Sequence, residues 1–463
     1  MRNIISLVLA KTRSFLQRYE INWAVIYGAL NAGFGFVAAP VSAWFMIRFF
    51  SDVVQGYYYT FNSVLGLQLL FEAGFSSVII QFASHEWARL AIGQDRQVCG
   101  DPIALARLRS LFKLALRWYA VISILVLIFL GVGGSFFFLQ KDQHGVEWFM
   151  PWCLLCALTG VSLCLAPVWA VLEGCNQVSH VYWFRFIRTI LSRGVFWGAL
   201  FLGLNLWTAV VVELVALAYS GVFLWTRYRT FLHSLLVGSD SKAHIDWLLE
   251  IWPMQWRIGL SFASGYFVFS FFVPVLFQYH GPVVAGQMGM TWSIVGLVST
   301  VSTAWVAPKA PVFGMLISQN KYKELNSLFW RLTKIVFFLT AGVALILWCV
   351  VATLNYVHHP WASRFLSPLP TGLFLAAQVL TAVSFPASAY LRAHKKEPLF
   401  WVSVTAGGLI MISNLVLGRY FSAMGMAAGY LFMAILIIPV VFIIWNNCRQ
   451  QWHLIDLSQN EHA

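Results

Sequence analysis

Charged side chains are scarce in this chain. Asp, Glu, Lys and Arg together make up 10% of its 463 residues, whereas hydrophobic residues make up 60%. Soluble globular domains carry about 25% charged residues, so the composition excludes a soluble domain and favours a polytopic membrane protein. Acidic residues are the scarcest: there are 17 Asp and Glu against 30 Lys and Arg, which gives a net charge of +13. We attribute this excess to membrane orientation and expect no nucleic-acid partner.

Three other patterns are missing, and each absence excludes a class of protein. Ten-residue segments of alternating hydrophobicity do not occur, which excludes a transmembrane barrel and leaves helices. The seven cysteines form no disulfide framework, and Cys153 with Cys156 lacks the second pair of ligands that a zinc site needs. We therefore expect no metal and no other cofactor. A cleavable signal sequence is also missing, so the first helix is expected to stay in place.

Long apolar runs dominate the sequence. A helix needs about 20 apolar residues to cross the hydrocarbon core, and runs of this length predict an all-α polytopic membrane protein with about twelve transmembrane helices. The fifth run is the least apolar, because it contains three arginines. The expected spans are residues 21–47, 55–83, 114–138, 148–172, 182–204, 206–226, 252–278, 285–307, 334–354, 370–391, 398–418 and 424–446.

The basic residues predict the orientation of these spans. With a cytoplasmic N-terminus, 26 of the 30 Lys and Arg fall on the inner side, and only Arg48, Lys141, Arg364 and Arg419 fall on the outer side. Positive residues are retained on the cytoplasmic side of a membrane. We therefore expect a multi-pass protein with both termini in the cytoplasm.

The second half of the chain repeats part of the first. Four residues recur at an interval of 230: Gly56, Ser63, Gly66 and Leu67 reappear as Gly286, Ser293, Gly296 and Leu297. Because each half contains an even number of spans, the repeats keep one orientation and should be related by an axis along the membrane normal. This predicts two six-helix lobes with a parallel pseudo-two-fold repeat, residues 1–235 and 252–463. An interfacial linker helix at 236–251 would join them.

Ionisable residues within the spans are the candidates for function, because a charge at the bilayer centre costs at least about 2.5 kcal/mol unless it faces protein or water. Arg185, Arg188 and Arg193 fall within an arc of about 140° on the fifth helix. One interpretation is a structural ion pair between Arg193 and Glu213 of the sixth span. The other places the three arginines, above all Arg188 and Arg193, in a central cavity that binds an anionic substrate, since guanidinium binds phosphate with two hydrogen bonds.

Glu72 is another carboxylate at depth. It lies beside Gly74 in the stretch 56–89, which is expected to form one long helix. Glu72 either accepts hydrogen bonds from neighbouring helices or carries a proton during transport. Together with Glu213 it is the candidate for coupling transport to H+ or Na+.

Three stretches carry a resemblance to a known family. The second span contains GYY at 56–58 and FEAGF at 71–75, the fourth span ends in LEGCNQ at 172–177, and RYFSAMGMAAG at 419–429 precedes the twelfth. These stretches resemble motifs of the multidrug, oligosaccharidyl-lipid and polysaccharide exporters, in particular the polysaccharide export branch with the Wzx-type O-antigen flippases. The family pattern often has Asp where Glu72 stands.

The resemblance implies a flippase rather than an enzyme. Such a protein moves an undecaprenyl-pyrophosphate-linked oligosaccharide from the cytoplasmic to the periplasmic leaflet of the bacterial inner membrane by alternating access, for the biosynthesis of lipopolysaccharide and other surface polysaccharides. The implied partners are the lipid-linked anionic oligosaccharide, the membrane lipids and a counter-ion, H+ or Na+.

Two other functions stay open at this point. A multidrug or cation antiporter of the same superfamily favours cationic drugs, so its cavity should be acidic, whereas the fifth span here is basic. A membrane-embedded glycan polymerase or ligase would need a catalytic loop with several convergent polar groups on the outer face. The longest outer connection, residues 355–369, has only about 15 residues, with His358 and His359 as its candidate groups.

Overall fold

The computed structural model describes residues 23–141, 145–237, 245–394 and 396–460, with side chains described up to Trp452. Its architecture is helical apart from one short hairpin, which confirms the predicted class. The hairpin pairs β1 (Leu90–Ile92) with β2 (Val98–Gly100). The helices are α1 (Trp23–Phe49), α2 (Asp52–Leu65), α3 (Gln68–Glu72), α4 (Phe75–Trp87), α5 (Pro102–Ile128), α6 (Gly134–Leu139), α7 (Phe149–Gly174), α8 (Val178–Phe201), α9 (Trp207–Leu236), α10 (Trp252–Phe269), α11 (Phe272–His280), α12 (Pro282–Val306), α13 (Ala310–Ser318), α14 (Tyr322–Tyr356), α15 (Pro368–Ala393) and α16 (Phe400–Asn460).

The described helices account for the predicted spans. Eight are long and apolar enough to cross a membrane, and two bent helix pairs raise the number to ten. One of the eight, α16, contains Ser422 with non-helical dihedral angles, so it comprises both spans predicted on either side of that residue. The remaining predicted span is α8, a helix of 24 residues that contains the three arginines. The protein is therefore a multi-pass, all-helical membrane protein.

The second span is not the single long helix that the sequence predicted for residues 56–89. It consists of α2, α3 and α4, and the chain bends by 46° where α4 begins. Ala73 and Gly74 there have φ values of 48° and 64°. A left-handed residue cannot continue a right-handed helix, and glycine adopts this conformation without a steric cost. The glycine of the FEAGF stretch therefore marks a helix break.

The seventh span is broken as well. It comprises α10 and α11, which are bent by 46° at Ser270 and Phe271. Pro274 follows in the first turn of α11. A proline ring clashes with the carbonyl group four residues earlier, which is that of Ser270, so the helix ends there and begins again.

Close packing groups the described residues into two units. The first unit contains residues 23–42, 74–131, 153–237 and 245–256, and the second contains residues 43–73, 132–141, 145–152, 257–394 and 396–460. The lobes proposed at 1–235 and 252–463 remain a prediction. Part of the proposed linker at 236–251, residues 238–244, lies outside the described residues.

Within the first unit, Arg107 of α5 holds three segments together. Its guanidinium donates to Glu86 of α4 at 2.7 Å and to Glu250 at 2.6 Å. Glu250 belongs to the π-helical turn Trp247–Ile251, whose first backbone amides are capped by Asp246. The expected interfacial helix is thus a single turn in the described part of the linker. Because its residues are fixed by charge-assisted hydrogen bonds, this turn is anchored to α4 and α5.

Within the second unit, α2 and α12 pack closely through glycines. A Cβ on Gly56 would lie 1.9 Å from the carbonyl oxygen of Pro282, and one on Gly286 would lie 2.8 Å from the amide nitrogen of Gly56. A Cβ on Gly289 would lie 2.2 Å from the ring of Tyr59. Gly56 and Gly286, and Tyr59 and Gly289, are equivalent positions of the 230-residue repeat. Equivalent residues thus meet each other, as they do at a two-fold axis.

Candidate functional site

The helix that carries the arginines, α8, contacts other helices of the first unit on two sides. Phe184 stacks between Trp169 of α7 and Tyr219 of α9, with ring centroids 4.1 Å and 5.0 Å away. On another side, the ring of Tyr182 lies against Gly28 of α1, and the indole of Trp197 donates to the hydroxyl of Ser42 at 3.0 Å. These aromatic contacts fix the rotation of α8 and thereby the directions of its arginines.

Arg188 is placed beside a carboxylate. Its Nη2 lies 3.8 Å from Oε2 of Glu213 on α9, and Oε1 of Glu213 accepts a hydrogen bond of 2.5 Å from the hydroxyl of Ser162 on α7. A separation of 3.8 Å exceeds that of a hydrogen bond. Glu213 is therefore held by Ser162, while the guanidinium of Arg188, 38% exposed, keeps its donors available for another anion.

The sequence suggested Arg193 as the ionic partner of Glu213, but the structure places Arg188 there. Phe184 marks the side of α8 that contacts α9. Arg188 follows it by four residues and lies on the same side, whereas Arg193 follows by nine residues, or two and a half turns, and lies on the opposite side. A similar depth in the membrane was therefore not enough to identify the ionic partner of Glu213. The direction in which a side chain leaves the helix decides which arginine reaches the carboxylate.

Arg193 is half-buried in the C-terminal half of α8. None of the ion pairs or hydrogen bonds recorded among the described residues involves its guanidinium, in contrast to Arg185 and Arg188. It lies on the side of α8 that also carries Tyr182 and Trp197, which contact α1. On α1, the side-chain oxygen of Asn31 is buried and has no hydrogen-bond partner in the described structure.

Arg185 is the first of the three arginines along α8 and is paired with Glu173 in the last turn of α7. The carboxylate is 12% exposed and the guanidinium 46% exposed. One turn earlier on α8, His180 contacts the guanidinium of Arg227 on α9, with 3.0 Å between His180 Nε2 and Arg227 Nη2. Two exposed guanidiniums therefore lie at this end of the helices.

Glu72 belongs to the second unit and stands at the end of α3, directly before the break at Ala73 and Gly74. The residue is half-buried, and it has an interaction partner within the protein. Because the next two residues have left-handed backbone angles, the carboxylate of Glu72 lies at the bend of the second span. The roles considered for it, structural acceptor or proton carrier, remain predictions.

Two residues beside the arginine series and one on α1 were not singled out from the sequence: Ser162, Glu173 and Asn31. No sequence pattern pointed to Ser162, because hydroxyl side chains are frequent in membrane helices, where they usually bond to the backbone of their own helix. Glu173 was noted only as part of a family-like turn, although a carboxylate at the end of an apolar run is itself a signal. The amide of Asn31 within the first apolar run is a similar, weaker signal.

Comparisons of the sequence with protein-family models and with curated proteins find no match. Comparisons of the structure with solved structures find matches. An inward-facing multidrug resistance MATE family transporter of the MOP superfamily matches with a TM-score of 0.59 and 14% identity, over 92% of this chain and 96% of that chain. The lipid II flippase MurJ, in an inward closed conformation, matches with a TM-score of 0.66 and 12% identity, over 90% of this chain and 87% of that chain.

The chain has the same fold as these transporters. A third MOP superfamily transporter, from Pyrococcus furiosus, matches with a TM-score of 0.56 and 12% identity, over 92% and 95% of the two chains. At these identities the likeness establishes the fold of this chain, and its cargo has to be argued from its own residues.

Proposed function

We propose that this MOP-fold protein is an alternating-access flippase for an undecaprenyl-pyrophosphate-linked oligosaccharide in the bacterial inner membrane. The observation that carries the proposal is the arginine series of α8. Arg193 is half-buried without an ionic partner among the described residues, and Arg188 lies 3.8 Å from its carboxylate. A guanidinium kept inside a membrane helix without a hydrogen-bonded carboxylate is costly, so a bound anion would stabilise it.

The chemistry of the cargo fits this arrangement. A pyrophosphate offers several oxygens to planar, permanently charged guanidinium groups, which bind such oxygens with two parallel hydrogen bonds. The polyprenyl tail can remain in lipid while the polar head passes along the protein. The paired Arg185 and the exposed Arg227 at the inner end of α8 and α9 would attract the anionic head from the cytoplasmic leaflet.

Two comparisons are compatible with this mechanism. MurJ, which shares the fold, is named for flipping lipid II. MATE family transporters of the same fold are described in inward-facing and outward-facing conformations. In this chain, Glu72 at the helix break and Glu213 beside Arg188 are the proposed residues for coupling to H+ or Na+.

A multidrug antiporter of the same superfamily is the second candidate, because carboxylates inside the spans could bind a cationic drug. Two of them, Glu173 and Glu213, face arginines, which leaves less negative charge for a cationic drug. Sensitivity to cationic drugs in cells that lack or overproduce the protein distinguishes this function from glycan export.

Replacing the arginines tests the proposal. We expect Arg193→Ala to reduce surface polysaccharide and the transfer of a fluorescent pyrophosphate-linked glycan in proteoliposomes by about 10-fold to 100-fold. A reduction of this size corresponds to the loss of one or two hydrogen bonds to a charged group. Arg188→Ala should have a similar effect. The matched control is Arg392→Ala, which alters an exposed pair with Glu397. Normal export by the Arg188 and Arg193 variants, at normal membrane levels, would remove this site assignment.

A further inference from the structure

A cavity of about 490 Å³ opens in the second unit. It is formed by the beginning of α12, the end of α14, the turn Pro360–Arg364, the beginning of α15 and the bend of α16 at Ser422. We call it the Ser422 cavity. Its volume falls in the range of small-molecule sites, about 300 to 1,000 Å³. The connection between α14 and α15 belongs to the predicted periplasmic side.

The lining of the Ser422 cavity is polar but uncharged. None of the described residues that form it is Asp, Glu, Lys, Arg or His. The cavity therefore has no side chain to neutralise a phosphate or carboxylate, and none to neutralise a cation. Two amides, three hydroxyls and two aromatic rings contribute to it: Gln287, Asn355, Ser363, Ser367, Ser422, Phe365 and Phe421.

Ser422 adds an independent observation. Its φ of 55° and ψ of −150° lie in a region that glycine adopts freely and that costs free energy for any residue with a Cβ. Strained residues of this kind are concentrated at functional sites. Neither the hydroxyl of Ser422 nor the side-chain amide of Asn355 has a hydrogen bond recorded among the described residues, so both are free to bond to a ligand.

We propose that the Ser422 cavity binds an uncharged sugar unit. Amides and hydroxyls act as donors and acceptors side by side, which is what sugar hydroxyls require. The rings of Phe365 and Phe421 offer apolar surface to the C–H groups of a pyranose. The inference rests on the proposed function, because a carrier of lipid-linked glycans meets such sugars at its periplasmic end. The arginines of α8 would bind the anionic part of that cargo and the Ser422 cavity a neutral part.

Direct binding of simple sugars to the purified full-length protein tests this inference. The probes are glucose, galactose and N-acetylglucosamine, with glucuronate as an anionic ligand of the same ring shape as glucose, and Kd is measured by saturation-transfer NMR. Asn355→Leu removes an amide at nearly constant volume, and Ser367→Trp fills the cavity. The control is Tyr356→Leu, on the neighbouring residue of α14, which is 86% exposed and does not line the cavity.

We expect at least one neutral sugar to bind, with a Kd raised about tenfold in Asn355→Leu. The signal should be lost in Ser367→Trp and unchanged in Tyr356→Leu and Arg193→Ala. Glucuronate should bind at least tenfold more weakly than glucose. The absence of binding by every neutral sugar, equal affinity in the cavity variants, or equal affinity for glucuronate and glucose would each overturn the inference. Sugar binding with no glycan export would leave the cavity standing and refute the proposed function.

Discussion

Arg364 shows how much a single residue can contribute to the second unit. Its guanidinium lies 2.8 Å from a carboxylate oxygen of Asp52 and donates to the carbonyl oxygens of Phe50 at 2.5 Å and Ile47 at 3.3 Å. These carbonyls lie at the end of α1, where a helix leaves acceptors unsatisfied and favours a positive charge. Arg364 therefore joins the turn between α1 and α2 to the connection between α14 and α15.

Removing this guanidinium should destabilise the protein. We expect Arg364→Ala to lower the free energy of unfolding in detergent by about 2 to 3 kcal/mol, since a side chain that is 14% exposed loses several charge-assisted hydrogen bonds. Arg392→Ala is the control: its pair with Glu397 is 71% exposed on both sides, and it should change stability by less than about 0.5 kcal/mol. Equal melting temperatures of the two variants would contradict the prediction.

At the residue scale, the sequence indicated candidate side chains but not the partners that they contact. It assigned Arg364 only to the outer side, because its contacts with Ile47 and Asp52 are more than 300 residues distant in sequence. It predicted that Glu213 faces α8, yet the partner is Arg188. The pattern of apolar and charged residues determines the depth of a residue in a membrane, whereas its contacts depend on helix rotation and tertiary packing.

At the scale of elements, α2 and α12 depend on glycine for their close approach. A Cβ on Gly286 would lie within 3.0 Å of the backbone of Gly56, and backbone atoms cannot move aside as a flexible side chain can. The sequence predicted these two helices and their repeated glycines. It did not predict that the glycines face each other, since a repeat in sequence defines no contact by itself.

An alanine at this crossing should therefore separate the two helices. We expect Gly286→Ala to lower the free energy of unfolding by about 1 to 3 kcal/mol, the usual cost of overpacking. Gly296→Ala is the matched control on the same helix α12, because a Cβ there meets nothing within 4 Å. It should be neutral or stabilising by up to about 1 kcal/mol, as alanine favours helix more than glycine does. Melting curves in detergent compare the two, and a Gly296→Ala variant less stable than Gly286→Ala would refute the account.

The helix breaks were harder to predict than the helices. Gly74 carried a signal, because an isolated glycine near a carboxylate often marks the end of a helix. Ala73, with a φ of 48°, carried none, since alanine is a strong helix former. Close contact between Ala73 and Gly259 of α10 accompanies the break. Packing between distant segments thus overrides a local preference for helix.

At the scale of the whole molecule, the predicted twelve spans agree with the described helices and with the MOP fold. Length and apolarity were sufficient for most spans, because only a helix of about 20 apolar residues crosses the hydrocarbon core. The orientation remains a prediction that rests on the distribution of Lys and Arg. The first 22 residues, which contain four of those basic residues, lie outside the described structure.

Reporter fusions test the orientation. We expect alkaline phosphatase to be active when fused after Gly203 or His358, which connect spans on the predicted periplasmic side, and inactive when fused after Asn320 or at the C-terminus. A fluorescent protein that matures only in the cytoplasm should give the opposite pattern. The same reporter activity at His358 and Asn320 would mean that the number of spans between them is even, contrary to the single span α14.

The contact of Gly56 with Gly286 also bears on the ancestry of the chain. A gene for one six-helix unit would have produced a homodimer in which this glycine touched its own copy across the axis. In such a homodimer, every mutation at this glycine would have changed both sides of the interface at once. Only a residue that packs against its own copy would have been tolerated. The predicted duplication places both glycines in one chain, where each position can change alone. Gln55, which donates to the carbonyl of Gly286, has Ala285 as its counterpart in the repeat. The predicted duplication therefore leaves the two glycines identical, although a residue that borders them differs between the halves.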